Sequence, residues 1–448
     1  MLISFPFAAP HDGRRSTRLV AISLLVVAGL VPALARGGGA EGPLEGSQRA
    51  PEDKLDGLMA AGLEERGMTL AGGCSDAVFL RRVYLDLTGT LPEAPEVTAF
   101  LHRKDPEKRA AVVDALLESD HYAAYWVMRW GDVLRVKSEF PINLWPNAVQ
   151  AYHRWLGDSL RRNQPYDEFA RELLTSSGSN FRVPAVNFYR AVQGREPEAL
   201  AHAVALTFLG SRLEHWPDDR REGMVALFSR VAFKGTAEWK EEIVLCDPTA
   251  TEGMQGVLPD GTLREIGPDQ DPRRVFAAWL TEGAGREWFC RALVNRTWAW
   301  LFGRGLVHEA DDLRPENPAV HPAVLDYLAE EFATGGYDLK SLLRLIVTSR
   351  TYQQSCLPRS PGPEAARSFA CYPVHRIDAE VLIDALCQIT GTRERYSSPI
   401  PEPFTFLPDG QRTIALADGS ITSAFLELFG RPPRDTGLLS ERNRTPSA

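Results

Sequence analysis

Between His308 and His321 the chain places metal-competent and acid/base groups at close spacing: His308, Glu309, Asp311 and Asp312, then Arg314, Glu316, Asn317 and His321. Oxygen-bearing side chains gathered this way can hold a hard cation such as Ca²⁺. Two carboxylates in a polar cleft can also serve as acid and base in cleaving a glycosidic bond. On these grounds Asp311, Asp312 and His308 are the catalytic candidates, and the competing reading is an ion-paired loop that clamps helices. His215, beside Glu214, Asp218 and Asp219, joins His308 as a candidate metal or proton-transfer residue. Its spacing fixes no ligand geometry, and a solvated turn ahead of a helix would look the same. Arg296 with Trp298, and Arg314 with Asn317 downstream, are the binding candidates, because a guanidinium beside an aromatic ring can hold an anionic sugar. Trp298, Leu301 and Phe302 at helical spacing read equally as core.

Several chemistries are excluded. The chain has no Gly-x-Ser-x-Gly elbow, no His-Glu-x-x-His, no phosphate loop and no dinucleotide fingerprint. The six cysteines include no pair at two-residue spacing, so neither a zinc ribbon nor a haem c attachment motif is present. Cys356 and Cys371, separated by a loop rich in Pro and Ser, are the disulfide candidate in an oxidising compartment.

Arg14, Arg15 and Arg18 precede an apolar run from Leu19 that ends in Ala33-Leu34-Ala35, the pattern of an export signal over residues 1–35. An uncleaved run would instead anchor the chain in a membrane. Removing three Arg and one Asp with that segment moves the formal charge from -9 to -11. An acidic mature chain argues against nucleic acid as a partner, since phosphate tracking needs a basic face.

The elements that must position these residues are helical. Residues 36–74 read as a flexible leader and a first helix, because Gly37 to Ala50 carries little apolar surface to offset chain entropy. Leu80, Val83, Tyr84 and Leu87 form one helical stripe, with Asp76 near its start and Gly89 after its end. Asp105-Pro106 opens the next helix, and others follow near 121–136, 147–162, 167–175, 197–209 and 221–232. Arg82 and Asp86, four residues apart, suit a local ion pair. Glu242 to Cys246 reads as a strand, and Val257 to Thr262 carries a Pro-Asp-Gly turn, so a small β-hairpin is expected over 235–270. Asp271-Pro272 opens a further helix, and Leu339, Leu342, Leu343, Ile346 and Val347 form the cleanest amphipathic stripe. Val381, Leu382, Ala385, Leu386 and Ile389 form another. The expected fold is mainly α: two helical domains, 75–234 and 271–448, with a small β-hairpin insertion between them.

The order of sequence blocks carries a resemblance. NRTWAWLFGRGLVHEADDLRPENP from Asn295 is the most particular of them. FLRRVYLDLTGTLPEAPEV from Phe79, NQPYDEFARELL from Asn163, DPRRVFAAWL from Asp271, DLKSLLRLIVTSRTYQQS from Asp338 and FLELFGRPPRDT from Phe425 stand in register with it. Together they resemble the planctomycete-type secreted proteins made of two paired domains of unknown function, often joined to a cytochrome c-like module. The resemblance implies a Cys-x-x-Cys-His segment after the FLG-x-R pattern and a cysteine pair before a late Glu-Arg. Here Phe208-Leu-Gly-Ser-Arg-Leu213 runs into Glu214-His215-Trp216-Pro217, and Gly437-Leu-Leu-Ser440 precedes Glu441-Arg442. Both cysteine motifs are absent, which suggests that they contribute to one site in the family, and covalent haem c is not expected. The resemblance implies a further helical stretch beyond this chain, whose absence would leave an apolar face near Phe425 and Phe429 uncovered.

The reading is an exported, periplasmic or cell-envelope protein of unassigned activity, acting as a binding or assembly module whose partners are extracellular polysaccharide or other envelope proteins. The alternatives are an enzyme acting on an extracellular polymer through Asp311 and Asp312, and a non-covalent haem or metal-binding redox protein using His215 or His308.

Overall fold

The computed structural model describes residues 50–139, 144–360, 362–407 and 409–442. The export segment, the leader up to residue 49 and residues 443–448 lie outside them. Among the described residues are seventeen α-helices and two small antiparallel sheets, so the fold is mainly α with a small β insertion. No helix among them is long and apolar enough to cross a membrane.

Local signals account for most boundaries. The Asp76–Thr88 helix starts at Ser75, whose hydroxyl accepts from the Val78 amide, and stops at Gly89 in the left-handed region. A side chain at Gly89 would also meet the Tyr125 ring at 2.6 Å, so glycine is required there on two counts. Asp271 caps Pro272–Thr281, and Asp338 caps Leu339–Thr348, whose buried residues are those of its expected stripe. The helix expected over 221–232 spans Asp218–Phe228 instead, because Val231–Gly235 pairs with Glu242–Cys246 as a strand. Gly178–Ser179 completes that sheet on the other edge. Met254–Val257 and Leu263–Ile266 form the expected hairpin around Pro259-Asp260-Gly261, with Gly261 at φ 91°.

Two expectations are corrected. Arg82 and Asp86 face different partners: Arg82 donates to the Tyr352 and Gln354 carbonyls, while Asp86 accepts from the Tyr352 and Tyr372 hydroxyls. In the Ala379–Thr390 helix, Val381, Ile383 and Ala385 are buried, whereas Leu386 and Ile389 are 41% and 70% exposed. At its start Asp378 and Glu380 enter a buried ionic network, and further along Asp384 accepts from the Thr413 and Ile414 amides and Gln388 donates to Glu93.

The described residues make one compact unit. A single cluster of buried side chains runs from Leu55 to Ile414 and draws on both expected domains. Trp300, on the Arg286–Phe302 helix, sits edge-on to Trp126 and Trp130 of the Asp120–Val133 helix, at centroid distances of 5.4 and 5.5 Å. Each such ring pair contributes about 0.5–1.5 kcal/mol beyond area burial. At the periphery, Asp56 of the Pro51–Glu64 helix accepts from the backbone amides of Arg350 and Thr351.

Beside the tryptophans lies a network of buried charge. Asp132 accepts from Arg434 at 2.9 Å and from Arg442 at 2.6 Å. Arg442 also binds Glu380 at 2.7 Å, and Arg431 lies 3.4 Å from the same carboxylate. Arg129 pairs with Asp378 at 2.5 Å. Charges this deep keep their ionised form only through one another, so removal of a single member leaves its partners unpaired.

Burial opposes the ionisation of Glu380, but Arg442 and Arg431 outweigh it and hold the carboxyl below its ordinary value of 4.5. A folded value below the unfolded one gives stability that is present above the ordinary range and lost as pH falls through the folded value. The Glu380→Gln variant should therefore unfold with a flatter acid limb than the parent below pH 4.5; superimposable limbs would show that Glu380 does not contribute. Asp132→Ala, which strips Arg434 and Arg442 of their shared acceptor, should lower the free energy of unfolding in urea at neutral pH by about 3–5 kcal/mol.

Candidate functional site

The Arg286–Phe302 helix is buried along nearly its whole length, which explains its lack of an amphipathic face. Two of its buried polar residues, Asn295 and Arg296, hold neighbouring backbone. Asn295 accepts from the Val307 amide at 2.8 Å and donates to the carbonyls of Val307 and Ala310, which folds the following loop back onto the helix. Gly305 makes that return possible, since an added Cβ would stand 2.4 Å from the Val307 carbonyl oxygen. Arg296 donates to Thr207 and Leu206 carbonyls at 2.6 and 2.9 Å. Those carbonyls belong to the five-residue π-helical turn Ala205–Leu209, where the regular α-helical bonding of Pro197–Val204 gives way.

Arg296 also reaches Asp311 at 3.4 Å, and the Leu439 amide donates to the other Asp311 oxygen at 2.6 Å. Burial raises the Asp311 carboxyl above its ordinary range, with Arg296 acting in the opposite sense. Asp312 turns the other way, accepting from His215 Nδ1 and Arg314 Nε at 3.1 Å each, and Asn317 donates to its carbonyl at 3.0 Å. Glu309 pairs with Arg212 at 2.9 Å, and the Leu313 amide donates to the Gly210 carbonyl at 2.9 Å. The 309–313 loop is thus stitched to the Leu213–His215 turn on one side and to Leu438-Leu439 on the other. The two places where the cysteine motifs are absent border the same loop.

This geometry redistributes the sequence candidates. Arg296 and Trp298, expected to bind a ligand, are 1% and 0% exposed. Trp298 stacks on Phe302 at 4.3 Å, so neither presents a surface to a polymer. Arg314 and Asn317 serve Asp312. Asp311 and Asp312 diverge toward separate partners, and so do not flank one scissile bond. His215 contacts Asp312, whereas His308 lies beside Arg304, where burial and that guanidinium push its pKa down. Among the described residues no three His, Cys, Asp or Glu side chains are grouped so as to hold a metal ion. Cys356 and Cys371 are both free thiols, and the Tyr372 amide donates to the Ser355 carbonyl at 3.0 Å, which lays the two segments side by side.

Between the loop and the C-terminal segment lies a cavity of about 150 Å³, lined among others by Arg129, Asp132, Trp300, Arg304, His308 and Arg442. Sequence reasoning missed Arg129, Asp132 and Arg442. The available signal was an arginine and an aspartate set among Trp126, Trp130 and Val133 on an otherwise apolar helix, a position that charge occupies only when paired.

Comparison with known proteins bears on the whole chain. A family model described as a protein of unknown function (DUF1549) matches residues 54–214, and a second, described as a protein of unknown function (DUF1553), matches residues 272–446. No curated protein and no solved structure matches.

The two aspartates should respond differently to truncation. Asp311→Ala leaves Arg296 and the Leu439 amide unpaired in the interior and should cost about 3 kcal/mol or more in urea unfolding. Asp312→Ala, in a solvent-screened group, should cost less than about 1 kcal/mol. Equal losses would contradict the burial difference. After export into an oxidising compartment, a non-reducing peptide map should recover the Cys356 and Cys371 peptides joined; separate peptides would show that the neighbouring thiols stay reduced.

Proposed function

The chain belongs to the planctomycete-type family of two paired domains of unknown function, and from the geometry of its 304–313 loop we propose an exported binding or assembly module of the cell envelope, not an enzyme. The observation that carries this reading is the divergence of Asp311 and Asp312. Acid/base cleavage of a glycoside needs two carboxyl groups facing one bond. Here one carboxylate is locked inward by Arg296 and the Leu439 amide, and the other outward by His215 and Arg314. Such a loop suits a fixed scaffold around a cavity. Export is supported by the arginines and the apolar run of residues 14–35 with its Ala33-Leu34-Ala35 ending.

The partner this reading favours is an extracellular polysaccharide. Trp239 is 69% exposed and stands edge-on to Trp145 at 6.4 Å, with the Lys240 ammonium 5.4 Å from its ring centroid. An open indole next to a cation is suited to stacking on a sugar ring that carries negative charge.

Electrophoresis of the mature chain through gels cast with acidic or neutral polysaccharide should show retardation by the acidic polymer, whose length, followed by size exclusion, should remain unchanged. Shortening of the polymer that Asp312→Asn abolishes would establish the enzyme instead. Expressed with its own leader, the protein recovered from the envelope fraction should have an intact mass that begins at Arg36; a mass that retains residues 1–35 would refute cleavage.

A further inference from the structure

The cavity beneath the 304–311 loop holds more hydrogen-bond donors than its surroundings use. Each carboxylate on its wall already has a cationic partner: Asp132 has Arg434 and Arg442, Glu309 has Arg212, and Asp311 has Arg296. Two guanidinium groups on the same wall are incompletely engaged. Arg129, 4% exposed, gives Nη2 to Asp378 and both Nη2 and Nε to the Tyr125 hydroxyl, while its Nη1 is buried without a hydrogen-bond partner. Arg304 has no ion pair or hydrogen bond among the described residues, and its Nε is likewise buried and unpartnered. Burial and the neighbouring Arg367 hold the Arg304 guanidinium below its ordinary range. A buried N–H without an acceptor carries a penalty that an acceptor oxygen removes; in Arg129 it sits on a buried cation, in Arg304 on a half-buried one.

We propose that this cavity binds a small oxyanion, the carboxylate or sulfate group of an acidic sugar, through Arg304 and Arg129, with Trp300 as its aromatic wall. The assignment deepens the binding function above and rests on it. The volume of about 150 Å³ suits insertion of a charged head group. A guanidinium presents its donors in a planar fork that matches two oxygens of such a group. Trp300, held edge-on by Trp126 and Trp130, cannot turn away from the opening. The ligand's charge would offset the surplus of the buried network, in which Arg129, Arg431, Arg434 and Arg442 face Asp132, Asp378 and Glu380.

Calorimetric titration of the mature protein with sodium glucuronate, at fixed ionic strength and with glucose as the uncharged control, tests the assignment. Glucuronate should bind once per chain and glucose should not. Arg304→Gln should weaken glucuronate at least tenfold with an unchanged circular dichroism spectrum and urea midpoint, and Arg304→Lys should restore part of the affinity. Displacement of glucuronate by inorganic sulfate would identify a general oxyanion site, and binding that sulfate leaves intact would identify a carboxylate-specific one. Equal affinity in the parent and Arg304→Gln, or no glucuronate binding by either, overturns the proposal. Should the parent still be retarded by acidic polysaccharide in that last case, the cavity assignment alone fails; if retardation is also absent, the binding function falls with it.

Discussion

Asp132 is the acceptor around which the molecule closes. Its two oxygens are shared between Arg434 and Arg442, some three hundred residues away in sequence. Through Arg442 it is joined to Asp378 and Glu380, and through them to Arg129 and Arg431. These groups are nearly buried, so each does much to fix the position of the next. The C-terminal segment is short of regular structure, with only a 3₁₀ turn at Leu439–Glu441. What orders it is this ionic seam together with the Leu439 amide bound to Asp311.

The pairing of the two matched families has a physical basis in the same seam. Residues 54–214 supply Asp132, Arg129, Trp126 and Trp130, and residues 272–446 supply Trp300 and the remaining charges. Each half alone would expose a tryptophan-lined face and leave buried ions without counter-ions. The strands within residues 231–266 lie between the two matched stretches and join the same core through Val244 and Ile266. Met254–Val257 packs on Asp218–Phe228, whose Gly223 admits Val257 so closely that a Cβ there would stand 2.4 Å from the valine's own.

Local order was readable in the chain. Gly89 after a four-position stripe, Asp271 and Asp338 as caps, and the Pro-Asp-Gly turn each encode their element within a few residues, and each element forms there. The environment of the candidate site was not. Whether Asp311 faces solvent or an arginine depends on Arg296, fifteen positions away, and on an amide of Leu439, 128 positions away. The stripe at Val381 to Ile389 misled for a related reason. Its periodicity was real, but Asp378, Glu380 and Asp384 bind partners on one side of the helix, and Leu386 and Ile389 are left exposed.

The seam also imposes an order of events. Asp132 and Arg129 leave the ribosome long before Arg431, Arg434 and Arg442, so the earlier half is synthesised with its charges and indoles lacking their eventual partners. The exposed stage of synthesis is the interval before its last dozen described residues arrive, while the Trp126 and Trp130 face and Asp132 lack their cover.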